Sequence, residues 1–496
     1  MKKRIILMFI VVVMTSTACA TTTSDVEYIL TIIVEPSMKF DVVRPMSSFM
    51  VKIWEEVHRT ETGFQTFKYG IADGRTGQIV LPVEYDEIRD FRDGLVAVRK
   101  DEKWGFVNIN GDITVPFIYD NVYDFSEEFA AVSVGEWYEA EHPMYGLEMR
   151  YNGKWGFIDT NGNTITSLEY DWVNSFSEGL AVVGIDRKSG FINTSGDITV
   201  PIEYDSVHDF SEGRAGVYID RKGGFINTSG ELIIPMIYDR VGYYEDFGSS
   251  DSGLYVYMGF QEGFAAVQLD SKWGMVDVNG KIVIPLEYDR VRNFNGGLAV
   301  VGIGIHHGGN QGVVNTKGKF VFPINEDDWV NISCFHNGMA SIWDVRGGGF
   351  GIINAKGELI VPFGTYYGEV SFSEDLALVC SGEVIKYEHY GVPATRIDRN
   401  YGFINKQGEI VIPIEYDTAS VFQNGMARVL KDNNHNYINK NGEAILPDDY
   451  SGMFHIGSEN GVAYFWVLQG ETNKFADCLV GIVSVSGNFP NSGASV

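Results

Sequence analysis

A Tyr-Asp pair recurs at one repeated position seven times, at Tyr85-Asp86, Tyr119-Asp120, Tyr170-Asp171, Tyr204-Asp205, Tyr238-Asp239, Tyr288-Asp289 and Tyr416-Asp417. A carboxylate at a repeated position could ligate a cation or act as a general acid or base. Catalytic groups, however, work as one positioned constellation. These come once per unit along a long chain, so an Asp that caps a turn is the simpler expectation. The stretch DNNHNYINKNG, Asp432 to Gly442, lacks the alternating carboxylates and closing Glu of a calcium loop. His306-His307 lies in a Gly-rich run and reads as surface loop rather than metal site. No nucleophile elbow, zinc-protease helix, phosphate loop or dinucleotide fingerprint occurs in a fitting context. The expectation is a chain with no catalytic constellation, no metal and no cofactor.

Aromatic side chains are the other candidates. Trp104, Trp155 and Trp273, with Tyr401 in the same slot, could offer flat faces to pyranose rings. The competing expectation is packing between units, with Lys stems lying on the rings. Ser189 and Gly223 fill the slot elsewhere, a loss that a core position would not tolerate without compensation. Three insertions are also aromatic-rich: Gly135 to Asn152, Cys380 to Ile397 and Gly242 to Gln261. The first two enter after the last strand of their units and the third earlier. Repeat arrays vary their loops on a binding face. Trp137, Tyr138, Tyr145, Tyr387, His389 and Tyr390 are therefore the candidate contact residues. The alternative is excursions that pack on themselves.

All these residues are carried by a repeat. "RKSGFINTSGDITVPIEYD" starts at Arg187 and "RKGGFINTSGELIIPMIYD" at Arg221. Aligned on the Gly of GFIN, copies fall at Gly70, Gly105, Gly156, Gly190, Gly224, Gly274, Gly312, Gly351 and Gly402, with Asn436 replacing Gly in a tenth and Gly481 in an eleventh. GFI and ITVP are strand signals. A Gly between them, as at Gly162 in Asn161-Gly162, suits a type I′ hairpin turn. An Asn or Asp three residues after the first Gly, such as Asp159, can start that turn through its side chain. Asn436 as the substitute hints at a bulge or a left-handed residue at the first Gly. Each unit reads as a meander of three or four short strands, too small to fold alone.

KWGFIDTNG…YDWVNSFSEGLAVV, Lys154 to Val183, resembles the bacterial WG, or KWG, β-repeat. The resemblance implies β-structure and an interaction role, and no chemistry. The expected fold is all-β: about eleven tandem antiparallel units of roughly 34 residues, forming a propeller-like ring or an open superhelical array. The half-unit at Pro36 to Ile53 and the complementary half at Leu479 to Asn488 are what a ring latched through both termini would show.

A charge of −28 excludes nucleic acid as a partner, since phosphate binding needs a basic footprint. Lys2, Lys3 and Arg4 precede an apolar run from Ile5 to Met14, too short to span a bilayer. Small residues around Cys19 then resemble a bacterial lipoprotein signal, so Cys19 is the expected lipidation site. Cleavage after Ala20, giving a secreted or periplasmic protein, is the alternative. Cys334, Cys380 and Cys478 show no zinc spacing and form no disulfide framework. The expected organisation is signal peptide 1–20, linker 21–35, N-terminal half-repeat 36–69, repeat array 70–450, partial repeat 451–488 and tail 489–496. The function that follows is an exported, surface-anchored, non-catalytic scaffold for protein partners, touching membrane only through its anchor. A glycan- or cell-wall-binding module and a hydrolase with an unrecognised site are the alternatives.

Overall fold

The computed structural model describes residues 29–34, 42–45, 50–59, 65–73, 78–142, 146–246, 255–304, 310–325, 330–333, 335–344, 349–367, 370–389, 392–432, 434–445, 452–459, 462–469 and 479–486. Cys19 and the signal segment lie outside them, as do His306-His307, Tyr145 and Tyr390.

Sheet 4 shows how one unit folds. Its four strands are Trp172–Val173 (strand a), Leu180–Ile185 (b), Lys188–Asn193 (c) and Ile198–Tyr204 (d). They pair antiparallel in that order. The apolar run of strand b is buried on both faces, whereas strand d is buried only at Val200 and Tyr204. The sheet therefore starts just after one Tyr-Asp and ends at the next, half a unit out of phase with the GFIN alignment.

Among the described residues, eleven such sheets stand in chain order: 42–85, 87–119, 121–159, 172–204, 206–238, 240–288, 290–322, 330–366, 371–416, 418–439 and 452–486. Sheets 3 and 10 have three strands. The last is completed by the N-terminal strand Ile29–Val34, which pairs with Leu479–Ser486. Each sheet contacts the next, strand c typically meeting the following strand a, and sheet 11 contacts sheet 1 through their first strands. The eleven sheets thus close into a propeller-like ring, and the open superhelix gives way. Two boundaries change with it. The segment 21–35 contains the closing strand instead of being linker only. The half-repeat 36–69 and the first GFIN unit make one complete sheet.

The core lies between sheets. One cluster joins Leu180, Val182, Phe191, Val200 and Tyr204 of sheet 4 to Val207, Phe210, Ala215, Val217 and Ile226 of sheet 5. Phe191 meets Phe210 edge-to-face at 4.8 Å, and Phe106–Phe125, Phe157–Phe176, Phe225–Phe260 and Phe403–Phe422 repeat that contact at other junctions. No unit could bury these rings alone, which is why the array coheres only as a stack.

One turn expectation is corrected and one is decided between its two alternatives. The Asn-Gly turn is a type I turn closed by a left-handed Gly, not type I′. The Gly162 N–H donates to the Asp159 carbonyl and only Gly162, at φ 81°, is left-handed. Asp159 Oδ1 accepts the N–H groups of Asn161 and Asn163, as the side-chain argument anticipated. The type I′ geometry occurs elsewhere, at Glu178-Gly179 and, with no glycine, at Asp186-Arg187 (φ 47° and 64°). The first Gly of GFIN is not left-handed. It sits in a bulge, where Ser189 pairs with Tyr204 and Phe191 with Val200, and a Cβ on Gly190 would lie 2.5 Å from the Val200 carbonyl oxygen. Pro201 fits there because a bulge needs no ladder N–H. Asn436 takes the place of this Gly in Asn434–Asn439, the third strand of a sheet with three strands among the described residues.

Candidate binding site

The Tyr-Asp carboxylates join sheets. Asp205, leaving sheet 4, accepts Lys188 Nζ at 2.6 Å on one oxygen and the backbone N–H of Asp220, in the strand b–c turn of sheet 5, at 2.8 Å on the other. Asp120 repeats this with Lys103 and Gly135, Asp171 with Lys154 and Asp186, Asp239 with Lys222 and Asp270, and Asp289 with Lys272 and Gly304. The Lys partners hold the Asp171, Asp205, Asp239 and Asp289 carboxyls below the usual Asp range. The same bond restrains the glycine-free Asp-Arg turns. The neighbouring tyrosines are buried, which raises the hydroxyls of Tyr170 and Tyr204. In these five carboxylates each oxygen accepts one bond of the clamp, so the pair of bonds ties a sheet to the turn of the next.

A second carboxylate row was not read from the sequence. Glu127 accepts the N–H groups of Glu178 and Gly179, Glu178 those of Glu212 and Gly213, Glu212 those of Glu262 and Gly263, and Glu262 those of Gly296 and Gly297. Each Glu stands in a strand a–b turn and clasps the same turn of the next sheet. The available signal was a Glu recurring in the same turn, as Ser-Glu-Gly at Ser177 to Gly179 and Ser211 to Gly213, Ser-Glu-Glu at Ser126 and Gln-Glu-Gly at Gln261. Ser126, Ser177 and Ser211 add a hydroxyl bond to the carbonyls of Phe176, Phe210 and Phe260 across the same junctions.

The Trp slot is a packing position. Trp104 is 4% exposed beneath the Arg89 guanidinium, 4.4 Å from its ring, while Trp155, Trp273 and Tyr401 are half-buried. The substitutions at Ser189 and Gly223 are compensated after all. Trp172 crosses Gly184, the strand b partner of Ser189, so closely that a Cβ there would meet its indole at 2.1 Å. Tyr218 lies over Gly223 and its hydroxyl accepts the Val241 N–H at 2.8 Å. In both sheets an aromatic from a neighbouring strand occupies the missing ring's space.

The insertions are β-hairpins. Trp137–His142 pairs with Gly146–Tyr151 as a separate two-stranded sheet. Leu376–His389 pairs with Val392–Ile404 in one long hairpin that begins as strands b and c of sheet 9. Tyr243–Asp246 pairs with Tyr255–Met258 between strands a and b of sheet 6. A fourth, unread from the sequence, is the lengthened hairpin of sheet 1, Met50–Arg59 with Gln65–Asp73. In sheets 1, 3 and 9 the arm replaces the b–c turn, which is two residues long at Asp186-Arg187 or Asp220-Arg221. Trp137 stands opposite Tyr151, Tyr138 opposite Arg150, Tyr387 opposite Ala394 and His389 opposite Val392. Tyr138 is 46% exposed. The candidate residues thus divide between two arms on sheets 3 and 9, six steps apart round one side of the ring and five round the other.

Among the described residues, no group of three or more His, Cys, Asp or Glu could hold a metal ion, and no helix is long and apolar enough to cross a membrane. The repeat described as "WG containing repeat" matches residues 69–104, 104–136, 155–188, 190–222, 224–248, 255–273, 273–304, 350–383 and 401–434. The chain belongs to the WG-repeat family. No curated protein matches it. Similar solved structures are slight likenesses. A eukaryotic initiation factor is 10% identical over 80% of this chain and 95% of its own (TM-score 0.37). Hsv2 of Kluyveromyces lactis is 8% identical over 62% and 95% (0.27), and BamB of Moraxella catarrhalis 12% over 64% and 96% (0.26). In this WG-repeat chain the signature residues Lys, Trp and Gly are thus the Asp clamp's cation, a packing ring and the bulge.

Proposed function

We propose that this WG-repeat ring is a non-catalytic scaffold for protein partners, exported and held at the cell surface by an acyl group on Cys19. One observation carries the reading. The repeated charges are spent joining sheets, while the b–c turns of sheets 1, 3 and 9 are drawn out into aromatic-bearing arms and sheet 6 carries a further hairpin between strands a and b. Paired strands give an arm open backbone edges and closely spaced side chains, the elements of strand-addition recognition.

The test replaces residues 136–152 and, separately, 382–399 by the Asp-Arg turn of sheet 4 in the chain from Ala20 onward. Both variants should keep the wild-type thermal transition. A purified envelope protein, first found by crosslinking from position 138, should bind the intact chain saturably and each variant at least tenfold more weakly. Equal binding by both variants, or turnover of a cell-wall substrate by the purified chain, would refute the proposal. Palmitate labelling of Cys19, lost in Cys19→Ala, checks the anchor separately.

A further inference from the structure

At two junctions a side chain from the corner after strand a reaches a side chain at the same corner of the next sheet. At the sheet 4/5 junction they close on each other, Asn174 Nδ2 donating to Asp209 Oδ1 at 3.0 Å. At sheet 2/3 the pair is Arg89 and Asp124, but Arg89 turns mainly to the Val122 carbonyl, 2.9 Å, and to the Trp104 face, leaving Asp124 at 3.5 Å. At sheet 3/4 the pair is Tyr123 and Ser175, and serine is too short to fill the space. An open surface depression of about 420 Å³ lies at this corner, lined by Arg89, Arg92, Tyr123, Asp124, Ser126 and Ser175 over Phe125. That is a small-ligand size.

We propose that this cleft binds a hexopyranose unit of a neutral polysaccharide. Tyr123 is 38% exposed and rests on Trp155, ring centres 4.8 Å apart, so it presents a braced aromatic face for the apolar side of a sugar ring. Asp124, Arg92 and Ser175 surround that face with acceptors and donors suited to adjacent hydroxyls. Partial burial raises the Asp124 carboxyl despite Arg89, and its half-exposed oxygens remain open to ligand hydroxyls. The charge of −28 opposes a polyanion, which selects a neutral glycan over an acidic one. Trp104 and Trp155 then act beneath the site, backing Arg89 and Tyr123, instead of touching sugar.

The experiment is calorimetric titration of the chain from Ala20 onward with cello-, malto-, manno- and chitohexaose, and with oligogalacturonate. At least one neutral oligosaccharide should bind, Tyr123→Ala should weaken it at least tenfold, and Ser175→Trp, which fills the cleft from its far wall, should abolish binding with the thermal transition unchanged. Binding by none, equal binding by both variants, or preference for oligogalacturonate would overturn the proposal. The arm-deleted chain should still bind sugar, which keeps this test distinct from the scaffold's.

Discussion

Replacing Gly190 with alanine would put a methyl group 2.5 Å from the Val200 oxygen, 2.7 Å from the Pro201 oxygen and 2.8 Å from the Ile202 nitrogen. Ordinary contact begins near 3.4 Å, so strand d must retreat by as much as 0.9 Å. All three obstacles are backbone, held by the Ser189–Tyr204 and Phe191–Val200 pairs on either side, so no side chain can swing away. Overpacking of this kind costs about 1–3 kcal/mol. At 2 kcal/mol, local opening of sheet 4 becomes about 30-fold more frequent. Amide hydrogen exchange in Lys188–Asn193 and Ile198–Tyr204 reads that opening directly, and each sheet leans chiefly on its neighbours, so distant sheets should barely change. A Gly190→Ala chain with wild-type exchange in both strands would refute the close-approach argument.

Phe191→Ala removes a fully buried ring and its partner's edge contact, and should cost about 3–5 kcal/mol, seen as a lower urea midpoint. Trp172→Gly and Ser189→Trp should each destabilise, by about 3–5 and 1–3 kcal/mol. The double variant should recover about 2 kcal/mol or more of their sum, because one ring exchanges for another, and additive losses would disprove the compensation. Acid should weaken the ring in two windows. His208, half-buried and held at about 4, is protonated more readily in the unfolded chain, so stability falls from about pH 6.5 to 4, and His208→Gln should flatten that limb of a melting-temperature profile. The depressed Asp171, Asp205, Asp239 and Asp289 contribute stability present above the ordinary Asp range and lost as pH falls below it. Asp205→Asn should shrink this lower limb.

Local chemistry was legible where partners are near in sequence. Asp159 bonds residues two and four positions on, and the turn glycines announce themselves by type. The clamp was not legible, because Lys188, Asp205 and Asp220 meet only once two sheets have stacked. Nor was the phase of the unit: identity is strongest around GFIN, but the sheet breaks at Tyr-Asp, where the chain crosses to its neighbour. Asp186-Arg187 hid a type I′ turn because it contains no glycine and depends on Asp171 from the preceding unit. Trp172 and Tyr218 looked like ordinary variation, since what they compensate lies on a different strand. The aromatic insertions were found by their lengths, but the sheet 1 arm was masked by the irregular start of the repeat. The cleft was missed because it is made by a short side chain, Ser175, in a place where longer ones close the gap.

The closing strand has a mechanical meaning. Ile29 pairs with Ser486 and Val34 with Ile482, so the outer ends of the first and last strands leave sheet 11 side by side. Tension applied between the two ends of the chain would part this pair one rung at a time, like a zip, whereas the remaining sheets would feel no load until it had opened. Joining the ends with a short linker would remove that point of entry, and cutting the loop at Asp186-Arg187 would move the chain's termini to sheet 4 while every sheet kept its strands. The position of the ends is therefore a choice of where the circle can be undone.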